Sequence, residues 1–443
     1  MAATHSRLRS AGSLIGSLIV AAASIGVLVL APWWLLLAGL LLLAVWMAAT
    51  RIGRQAWSVS EVGMATIPQR LGAASVVVVG IAGVVAVLVA LLAMAAGFEA
   101  ALQQGGSDDT AIVLRAGSQT EINSVLDHDS AVLVAQAPQV LRDAQGQPIA
   151  SPELVLVAAL PKKSNGQDAN VEIRGVGEHA WSLRPGVRII DGRKFGPGLR
   201  EMIVGKGARA QFAGVDLGST LSLNGQTWTI VGAFDSQDAH NSELWADTDV
   251  VAATYRRGSS TAGVTVKLTG ADAFDAFKAG LASDPRLRVD AKTTRSYYTD
   301  QSAALSKLIR ILGVTIATIM AIGAVFGALN TMYAAVATRS REIATLRAIG
   351  FRALPVIVSV MLETMLLALA GGLLGAAVTW LLFNHYTVST LGANFTQVVF
   401  AFQVSAPVLW SGIKWALAIG LIGGLFPALR AARLQITAGL REL

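Results

Sequence analysis

Long uncharged apolar runs constrain this chain more than any other feature of its sequence. Residues 72–97 and 311–338 contain no charged side chain, and residues 353–382 contain one, a glutamate. A fourth apolar stretch covers about residues 407–429. About 20 apolar residues in a helix cross the hydrocarbon core of a bilayer, where lipid offers the backbone no hydrogen-bond partner. These runs therefore predict four membrane-spanning helices.

The first fifty residues add two more apolar runs. Residues 12–30 and 33–49 are separated by an Ala-Pro pair, which is typical of a tight turn. A cleaved signal peptide is the alternative for the first run, because basic residues precede it. We interpret the pair as a transmembrane hairpin. The predicted fold class is then an α-helical membrane protein with six transmembrane helices, plus an extracytoplasmic domain.

Arginines are concentrated in the segments between these runs. Residues 1–10, 51–71, 339–352 and 430–443 contain twelve arginines and three glutamates, a net charge of +9, which leaves −2 for the rest of a chain whose total is +7. Segments rich in arginine remain on the cytoplasmic side of a membrane. We therefore expect a multi-pass protein with both termini in the cytoplasm. Because the excess charge is explained by topology, we expect no nucleic-acid partner.

Residues 98–303 have the composition of a soluble domain and are expected outside the cytoplasm. Short apolar runs predict strands at 111–114, 132–135 and 154–159, and Asn-Gly at 224–225 between two alternating runs predicts a hairpin. A strand, a helix and a second strand are predicted over 264–289. We expect a two-lobed α+β domain. Since the chain has no cysteine, burial alone must stabilise it.

A search for catalytic and metal-binding motifs indicates no enzyme site in this chain. The sequence contains no G-x-x-x-x-G-K-[ST] nucleotide loop, no H-E-x-x-H and no G-x-S-x-G, and its five histidines are dispersed. We expect no catalytic residue and no metal site. One acidic group lacks the spacing of a calcium loop, and we interpret it as a solvated strand and turn edge: Asp235, Asp238, Glu243, Asp247 and Asp249.

Glu363 is the one charge inside the third long apolar run. An intramembrane carboxylate suggests a functional site, but pairing with a basic residue near the inner leaflet is favoured over proton coupling. G-x-x-x-G pairs occur in each of the last three runs and are typical of close helix packing. The pairs are Gly323 and Gly327, Gly371 and Gly375, and Gly420 and Gly424.

Residues 339–350 connect the second and third long runs on the predicted cytoplasmic side. Ile343, Leu346 and Ile349 recur at a spacing of three and predict one apolar stripe on a short helix, which Gly350 would end. The flanking charges are Arg339, Arg341, Glu342 and Arg347. One interpretation is a helix lying on lipid headgroups. The other is a helix that docks into a cytoplasmic partner, with its arginines fixing the orientation.

Several of these segments together resemble the permease domain of MacB/FtsX/LolC-type ABC transporters. The segments in question are 330–333, 341–350, Glu363 and 424–433, and residues 186–193, 201–205, 217–218 and 228–232 resemble the same family's periplasmic domain. The resemblance covers about residues 54–443. It implies an inner-membrane permease that works as a dimer with itself or a homologous permease. It also implies a separate or fused ATPase that binds the loop between the second and third core helices. Since this sequence shows no nucleotide loop, we expect a separate cytoplasmic ABC ATPase that binds ATP and Mg, and no cofactor in this chain.

The resemblance further implies mechanotransmission, in which ATP hydrolysis moves the outer domains in order to export or extract a substrate. A periplasmic membrane-fusion adaptor is a further candidate partner. Two features depart from the family: no ATPase segment precedes the permease in this sequence, and the hairpin at 12–49 is extra. We divide the chain into the hairpin (1–53), an elbow helix and first core span (54–97), the outer domain (98–303, middle lobe 172–262), and the permease domain (304–443, coupling helix 339–352).

Two other classes of function remain open from the sequence. A membrane sensor or scaffold could signal ligand or cell-wall state through the same ATPase. An ion-coupled secondary transporter is disfavoured, because it would need polar or broken helices at mid-membrane, whereas residues 72–97 and 311–338 are uniformly apolar.

Overall fold

The structure is a computed structural model that describes residues 32–236, 238–392 and 394–434. Contacts divide the chain into two compact units. The helical unit comprises the described parts of Met1–Ala93, Arg310–Asn384 and Val404–Leu443. The sheet unit comprises the described parts of Met94–Ile309 and His385–Gln403.

Helices and strands are numbered separately along the described chain. The helices are α1 Trp33–Ala49, α2 Arg51–Ala65, α3 Leu71–Gln103, α4 His128–Ala135, α5 Ala180–Leu183, α6 Lys206–Gln211, α7 Thr248–Thr254, α8 Phe274–Ser283, α9 Thr294–Thr338, α10 Ser340–Ala348, α11 Ala353–Phe383 and α12 Ala406–Ala432. The strands are β1 Thr110–Arg115, β2 Ala150–Pro161, β3 Asp168–Val176, β4 Arg188–Gly192, β5 Glu201–Gly205, β6 Thr220–Leu223, β7 Gln226–Asp235, β8 Glu243–Asp247, β9 Gly263–Lys267, β10 Val289–Thr293, β11 Thr387–Leu391 and β12 Gln397–Ala401. Short 3-10 turns cover Ile67–Arg70, Glu121–Asn123, Ala239–Ser242 and Ala271–Ala273.

Four described helices are long and apolar enough to cross a membrane: α3 with its preceding turn, α9, α11 and α12. The count rises to five if α1 and α2, which meet at an angle of 103°, form one broken span. The six predicted spans are therefore not confirmed. The first predicted run, residues 12–30, lies outside the described residues.

The bend between α1 and α2 has a local cause at Thr50. Its backbone is extended, with φ −103° and ψ 151°, and its hydroxyl accepts a 2.9 Å hydrogen bond from the N–H of Gly53. This N-cap starts a new helix rather than extending α1. A Cβ on Gly53 would lie 2.6 Å from the Cα of Met47, so only glycine allows the two helices to meet this closely. The apolar run predicted at 33–49 therefore ends at this bend, before the arginine-rich segment that begins at Arg51.

Helix α11 packs through small residues against its neighbours in the helical unit. A Cβ on Gly371 would lie 2.8 Å from the Val78 carbonyl oxygen of α3, and one on Gly375 would contact the carbonyl of Ala82. On α12, Gly420 and Gly424 lie against Ala368 and Thr364 of α11. Small residues allow such close approach, which dispersion forces then stabilise.

The sheet unit is built on one mixed ten-stranded sheet. Its strand order is β10-β1-β9-β2-β3-β8-β5-β7-β4, and β6 pairs with β7. The β3–β8 and β5–β7 pairs are parallel, and the other pairs are antiparallel. One core contains Phe212, Trp228 and Leu244, and another lies under α8 around Phe277.

Several sequence predictions for this unit are confirmed. β9, α8 and β10 form the predicted strand–helix–strand element, and both strands pair with β1. Asn224 and Gly225 link β6 to β7 with φ values of 48° and 73°. Positive φ at both positions is what a tight two-residue hairpin turn requires, and Asn-Gly adopts it at little cost.

The strand predicted at residues 132–135 is wrong, because these residues end helix α4. Asp127 caps that helix: its carboxylate accepts a 2.7 Å hydrogen bond from the N–H of Ser130. Asp129 in the first turn adds a favourable charge at the helix N-terminus. The apolar run Val132–Ala135 is too short for its periodicity to distinguish a strand from the buried face of a helix. The N-cap at Asp127 therefore determines that this segment is a helix.

We predict that Gly375→Ala destabilises the helical unit by up to about 2 kcal/mol. Alanine gains about 1 kcal/mol over glycine in helix propensity, but its methyl group would overlap the Ala82 carbonyl and Val85, and overpacking of this kind costs about 1–3 kcal/mol. Gly80→Ala in α3 is the control, since no described atom lies within 4 Å of its Cβ position. It should be neutral or slightly stabilising. Thermal unfolding in micelles measures both, and equal behaviour would contradict the packing role.

Candidate functional site

The segment that joins α9 to α11 forms a short helix with a defined end. Helix α10 stops at Ala348, and Gly350 adopts φ +110°. The N–H of Gly350 donates to the Arg347 carbonyl, and that of Phe351 donates to the Leu346 carbonyl, both at 3.1 Å. This is a Schellman C-cap, which favours glycine because a side chain disfavours positive φ. The helix and its predicted stop at Gly350 are present.

The three residues of the predicted apolar stripe, two in α10 and Ile349 directly after it, do not share one face. Ile343 is buried within the chain, Leu346 is half-buried, and Ile349 is 73% exposed. A spacing of three residues falls 60° short of a full turn, so three successive members rotate around the helix. Arg341 and Glu342 are exposed on α10. The exposed surface of this segment therefore contains the charges of Arg341 and Glu342, the small side chains of Thr345 and Ala348, and Ile349. Leu346 is half-buried at its edge.

Both ends of α10 are tied to other parts of the helical unit. Before it, Arg339 donates from Nη1 to Oε2 of Glu363 at 3.4 Å and from Nε to Glu342 at 3.2 Å. Near its end, Arg347 Nη1 donates a 2.5 Å hydrogen bond to the carbonyl of Leu434, just past α12. A displacement of α10 would therefore act on α11 and on the end of α12.

Glu363 is buried in α11 and lies between two guanidinium groups. Its Oε1 accepts a 2.8 Å hydrogen bond from Nη2 of Arg70, and its Oε2 accepts from Arg339. Arg70 precedes α3 and also donates to the hydroxyl of Thr66 at 3.0 Å. A buried carboxylate without a cation is strongly unfavourable, so this contact holds the start of α3, α10 and α11 together.

Of the three predicted glycine pairs, the pair on α9 differs from the others. Gly371, Gly375, Gly420 and Gly424 contact neighbouring helices, as described above. Within the part of the chain that the structure describes, no atom lies within 4 Å of the Cβ position of Gly323 or Gly327. The small-residue surface of α9 is therefore not used by the described chain.

The sheet unit contains a buried charge cluster that sequence reasoning missed. Arg174 on β3 has a side chain only 2% exposed and lies between four glutamates from different segments. The nitrogen–oxygen distances are 2.6 Å to Glu121, 3.0 Å to Glu153, 2.9 Å to Glu172 and 2.8 Å to Glu243. One guanidinium, with five N–H donors, thus connects β2, β3, β8 and the turn at Glu121–Asn123.

A second cation, Arg184, completes the cluster without neutralising it. It forms a bidentate pair with Glu153, at 2.6 and 2.8 Å. Burial alone would raise the pKa of Glu153, but Arg184 and Arg174 lower it to about 2. Two arginines face four glutamates, so negative charge is in excess. Burial and the charge on Glu243 accordingly raise the pKa of Glu172 to about 7, although Arg174 opposes the shift.

His240 and Asp238 adjoin this cluster. The Asp238 carboxylate lies 3.0 Å from Nδ1 of His240, and both residues are buried. Burial would lower the pKa of His240, but the charges on Asp238 and Glu243 raise it. The interpretation of residues 235–249 as a solvated acidic edge is therefore wrong for Asp238 and Glu243. Arg174, the partner of Glu243, comes from a distant segment that spacing could not reveal, whereas His240 lies only two residues from Asp238.

A hairpin formed by β11 and β12 lies on the same cluster. Asn394 and Thr396, near its turn, donate to Oε2 of Glu172 at 3.1 and 3.4 Å. The N–H of Val399 donates to the Ser242 hydroxyl at 2.7 Å. The hairpin was not predicted, although alternating runs on either side of a Gly-Ala-Asn sequence were a usable signal. Together with the cluster it lines a small cavity of about 60 Å³.

Among the described residues, no group of three or more histidines and carboxylates has a metal-binding arrangement. The cluster contains glutamates, but arginines occupy the positions that a cation would take. Its chemistry is therefore that of a buried ion network that can take up a proton.

We predict that Glu172 makes the sheet unit less stable as pH rises from about 4.5 to 7. Its folded-state carboxyl binds a proton more tightly than the unfolded one, so the stability that protonation contributes is lost as pH passes through the folded pKa of about 7. The loss should reach at most about 3 kcal/mol. Glu172→Gln should remove it from unfolding curves of the full chain in micelles, followed by the fluorescence of buried Trp228 and Trp245.

Comparing variants isolates this effect from neighbouring groups. Glu153 titrates at lower pH, and the raised pKa of His240 causes its own loss of stability above about pH 6.5 in both wild type and variant. The matched control is Glu178→Gln, an exposed carboxylate on the same unit, which should keep the wild-type pH dependence. An unchanged pH dependence in Glu172→Gln would refute the assignment.

Two family models match the chain. The MacB-like periplasmic core domain matches residues 73–283, and the FtsX-like permease C-terminal domain matches residues 314–436. Among curated proteins, the Macrolide export ATP-binding/permease protein MacB of Neisseria gonorrhoeae is 25% identical over 309 residues, covering 63% of this chain and 46% of that protein. The protein of the same name from Shewanella sp. is 27% identical over 213 residues, covering 46% of this chain and 30% of that protein.

Among solved structures, the periplasmic region of MacB from Actinobacillus actinomycetemcomitans is similar, with 14% identity, a TM-score of 0.34, and coverage of 44% of this chain and 92% of that one. The chain spans about half the length or less of the curated relatives it matches. The two family models together cover most of the chain, including nine of the ten strands of its mixed sheet and its last two candidate spans. The chain belongs to the MacB/FtsX-like family of ABC transporter permeases.

Proposed function

We propose that this chain is the membrane-spanning permease subunit of an ABC transporter, and that it couples ATP hydrolysis by a separate cytoplasmic ATPase to movement of the sheet unit outside the membrane. The observation that carries the proposal is the anchoring of α10. An exposed surface with Ile349 and two charges is held at one end by Arg339 on Glu363 and at the other by Arg347 on Leu434. Force applied to that surface would act on α11, on the end of α12 and, through Glu363 and Arg70, on the start of α3.

The continuity of the chain supports the second half of the proposal. Helix α3 contributes residues to the helical unit up to Ala93 and to the sheet unit from Met94, and α9 passes from one unit to the other at Ile309 and Arg310. A helix transmits a displacement along its axis because its backbone hydrogen bonds keep its length fixed. Movement of α10 would thus reach the sheet unit through continuous helices, with no substrate crossing the helical unit.

Orientation and assembly follow from the same reasoning. The net charge of +9 on the arginine-rich segments favours a cytoplasmic α10 and a sheet unit on the other side of the bacterial inner membrane. The uncovered surface at Gly323 and Gly327 favours a second permease copy, or a homologous permease, as its partner. ATP and Mg would be bound by the ATPase, and a membrane-fusion adaptor could join the sheet unit.

We predict that the purified chain alone shows no ATP turnover, because the sequence has no nucleotide-binding loop. Adding back the ATPase that co-purifies from cells should restore hydrolysis. A phosphate-release assay on both preparations tests this, with the ATPase alone as control. Hydrolysis by the isolated chain that a substitution within it abolishes would contradict the proposal.

We predict that Ile349→Asp reduces co-purification of the ATPase about tenfold or more. Placing a carboxylate in a desolvated apolar contact makes the binding free energy less favourable. Each tenfold loss of affinity corresponds to about 1.4 kcal/mol of binding free energy. Ile349 tests docking better than Ile343, because it is exposed and its replacement leaves the core of the helical unit intact. Leu199→Asp, an exposed leucine of the sheet unit, is the matched control and should retain the ATPase.

The result separates docking from lipid contact. If α10 only rested on lipid headgroups, Ile349→Asp would still recover the ATPase at wild-type yield. Glu172→Gln should not change ATPase recovery, since it lies in the other unit. Wild-type recovery with Ile349→Asp would exclude this part of α10 from the coupling surface.

A further inference from the structure

A cavity of about 260 Å³ lies in the helical unit between the start of α3 and the last turns of α9. Its walls are formed mostly by small and apolar side chains, including Ala73, Ala74, Ala334, Ala335 and Met332. The alanines leave room between the two helices that larger residues would fill. An engineered cavity of about 150 Å³ already holds a benzene molecule, so this one can accept part of an alkyl chain.

The polar end of the cavity carries net positive charge. Arg70 and Glu363 line it, and Arg339 pairs with the same carboxylate, so two guanidinium groups share one buried negative charge. The other partner of Arg339, Glu342, is 57% exposed and therefore screened by water. The cavity thus combines apolar walls with an excess cation.

Arg70 has donors to spare at this end. Its hydrogen bonds to Thr66 and Glu363 both use Nη2. Within the described part of the chain, its Nε and Nη1 have no hydrogen-bond partner, and its side chain is 23% exposed. A guanidinium with two free N–H groups suits a phosphate oxygen pair.

We propose that this cavity binds an anionic phospholipid, with the phosphate on Arg70 and part of one acyl chain between α3 and α9. Basic pockets between membrane helices are the sites where anionic headgroups bind. The ligand would bridge the two helices where the small side chains leave them apart. The inference goes beyond the proposed function, because it requires only that the candidate spans lie in a membrane and needs no ATPase.

Native mass spectrometry of the full chain in micelles tests the site. The chain is equilibrated with equal amounts of phosphatidylglycerol and phosphatidylcholine that carry the same acyl chains. Wild type should retain phosphatidylglycerol preferentially, and Arg70→Gln should reduce that retention about tenfold. Arg70→Lys keeps the positive charge but loses the planar pair of N–H donors of the guanidinium. Its retention of phosphatidylglycerol should lie between those of wild type and Arg70→Gln.

A second variant tests the cavity separately. Ala335→Leu places a larger side chain in the cavity, leaves the Arg70 side chain unsubstituted, and should reduce retention of phosphatidylglycerol as well. Arg54→Gln, which removes an exposed arginine of α2, is the charge-matched control and should bind like wild type. If Arg70→Gln does not fold, Arg70→Lys and Ala335→Leu decide the outcome. Equal retention of the two lipids by wild type would overturn the proposal, as would unchanged retention in the Arg70 variants or in Ala335→Leu.

Discussion

Burial of the Glu363 carboxylate is the constraint on which the helical unit depends. An ionised group in an apolar surrounding loses several kcal/mol of hydration, which only cations at hydrogen-bond distance can offset. Arg70 and Arg339 supply them from two different segments, at 2.8 and 3.4 Å. Because the pairing fails if any of the three segments moves independently, it fixes the start of α3 and the start of α10 on α11. The apolar packing of glycines on α11 can then be close, since the helices already have a fixed register.

How much of this could be predicted depended on the range of each interaction. The four long apolar runs, the Asn224-Gly225 turn and the stop at Gly350 were predictable because each is decided by neighbouring residues. The partners of Glu363 were not, since Arg70 is 293 positions away. The Arg174 cluster was not predicted for the same reason. Its four glutamates come from separate segments, and a single buried arginine produces no periodic pattern in the sequence.

Local rules also failed where a nearby polar group overrode an apolar pattern. Asp127 caps α4 and turns the short apolar run that ends at Ala135 into a helix. In α10, the spacing of three residues was read as one stripe, but the rotation of 60° per step places Ile343 inside and Ile349 outside. Each error came from weighing side-chain hydrophobicity without backbone geometry.

The two buried ion networks have opposite charge imbalances, and this gives them different chemistry. Around Glu363, cations are in excess, so the site can still attract an anion, and the bonds of Arg70 to Thr66 and Glu363 use only its Nη2. Around Arg174, carboxylates are in excess, so the site relieves its repulsion by holding a proton, which Glu172 takes up near neutral pH. Glu172 also accepts the hydrogen bonds of Asn394 and Thr396. The charge state of the sheet unit is therefore tied to the hairpin between α11 and α12, whose contacts would weaken or strengthen as that proton is exchanged.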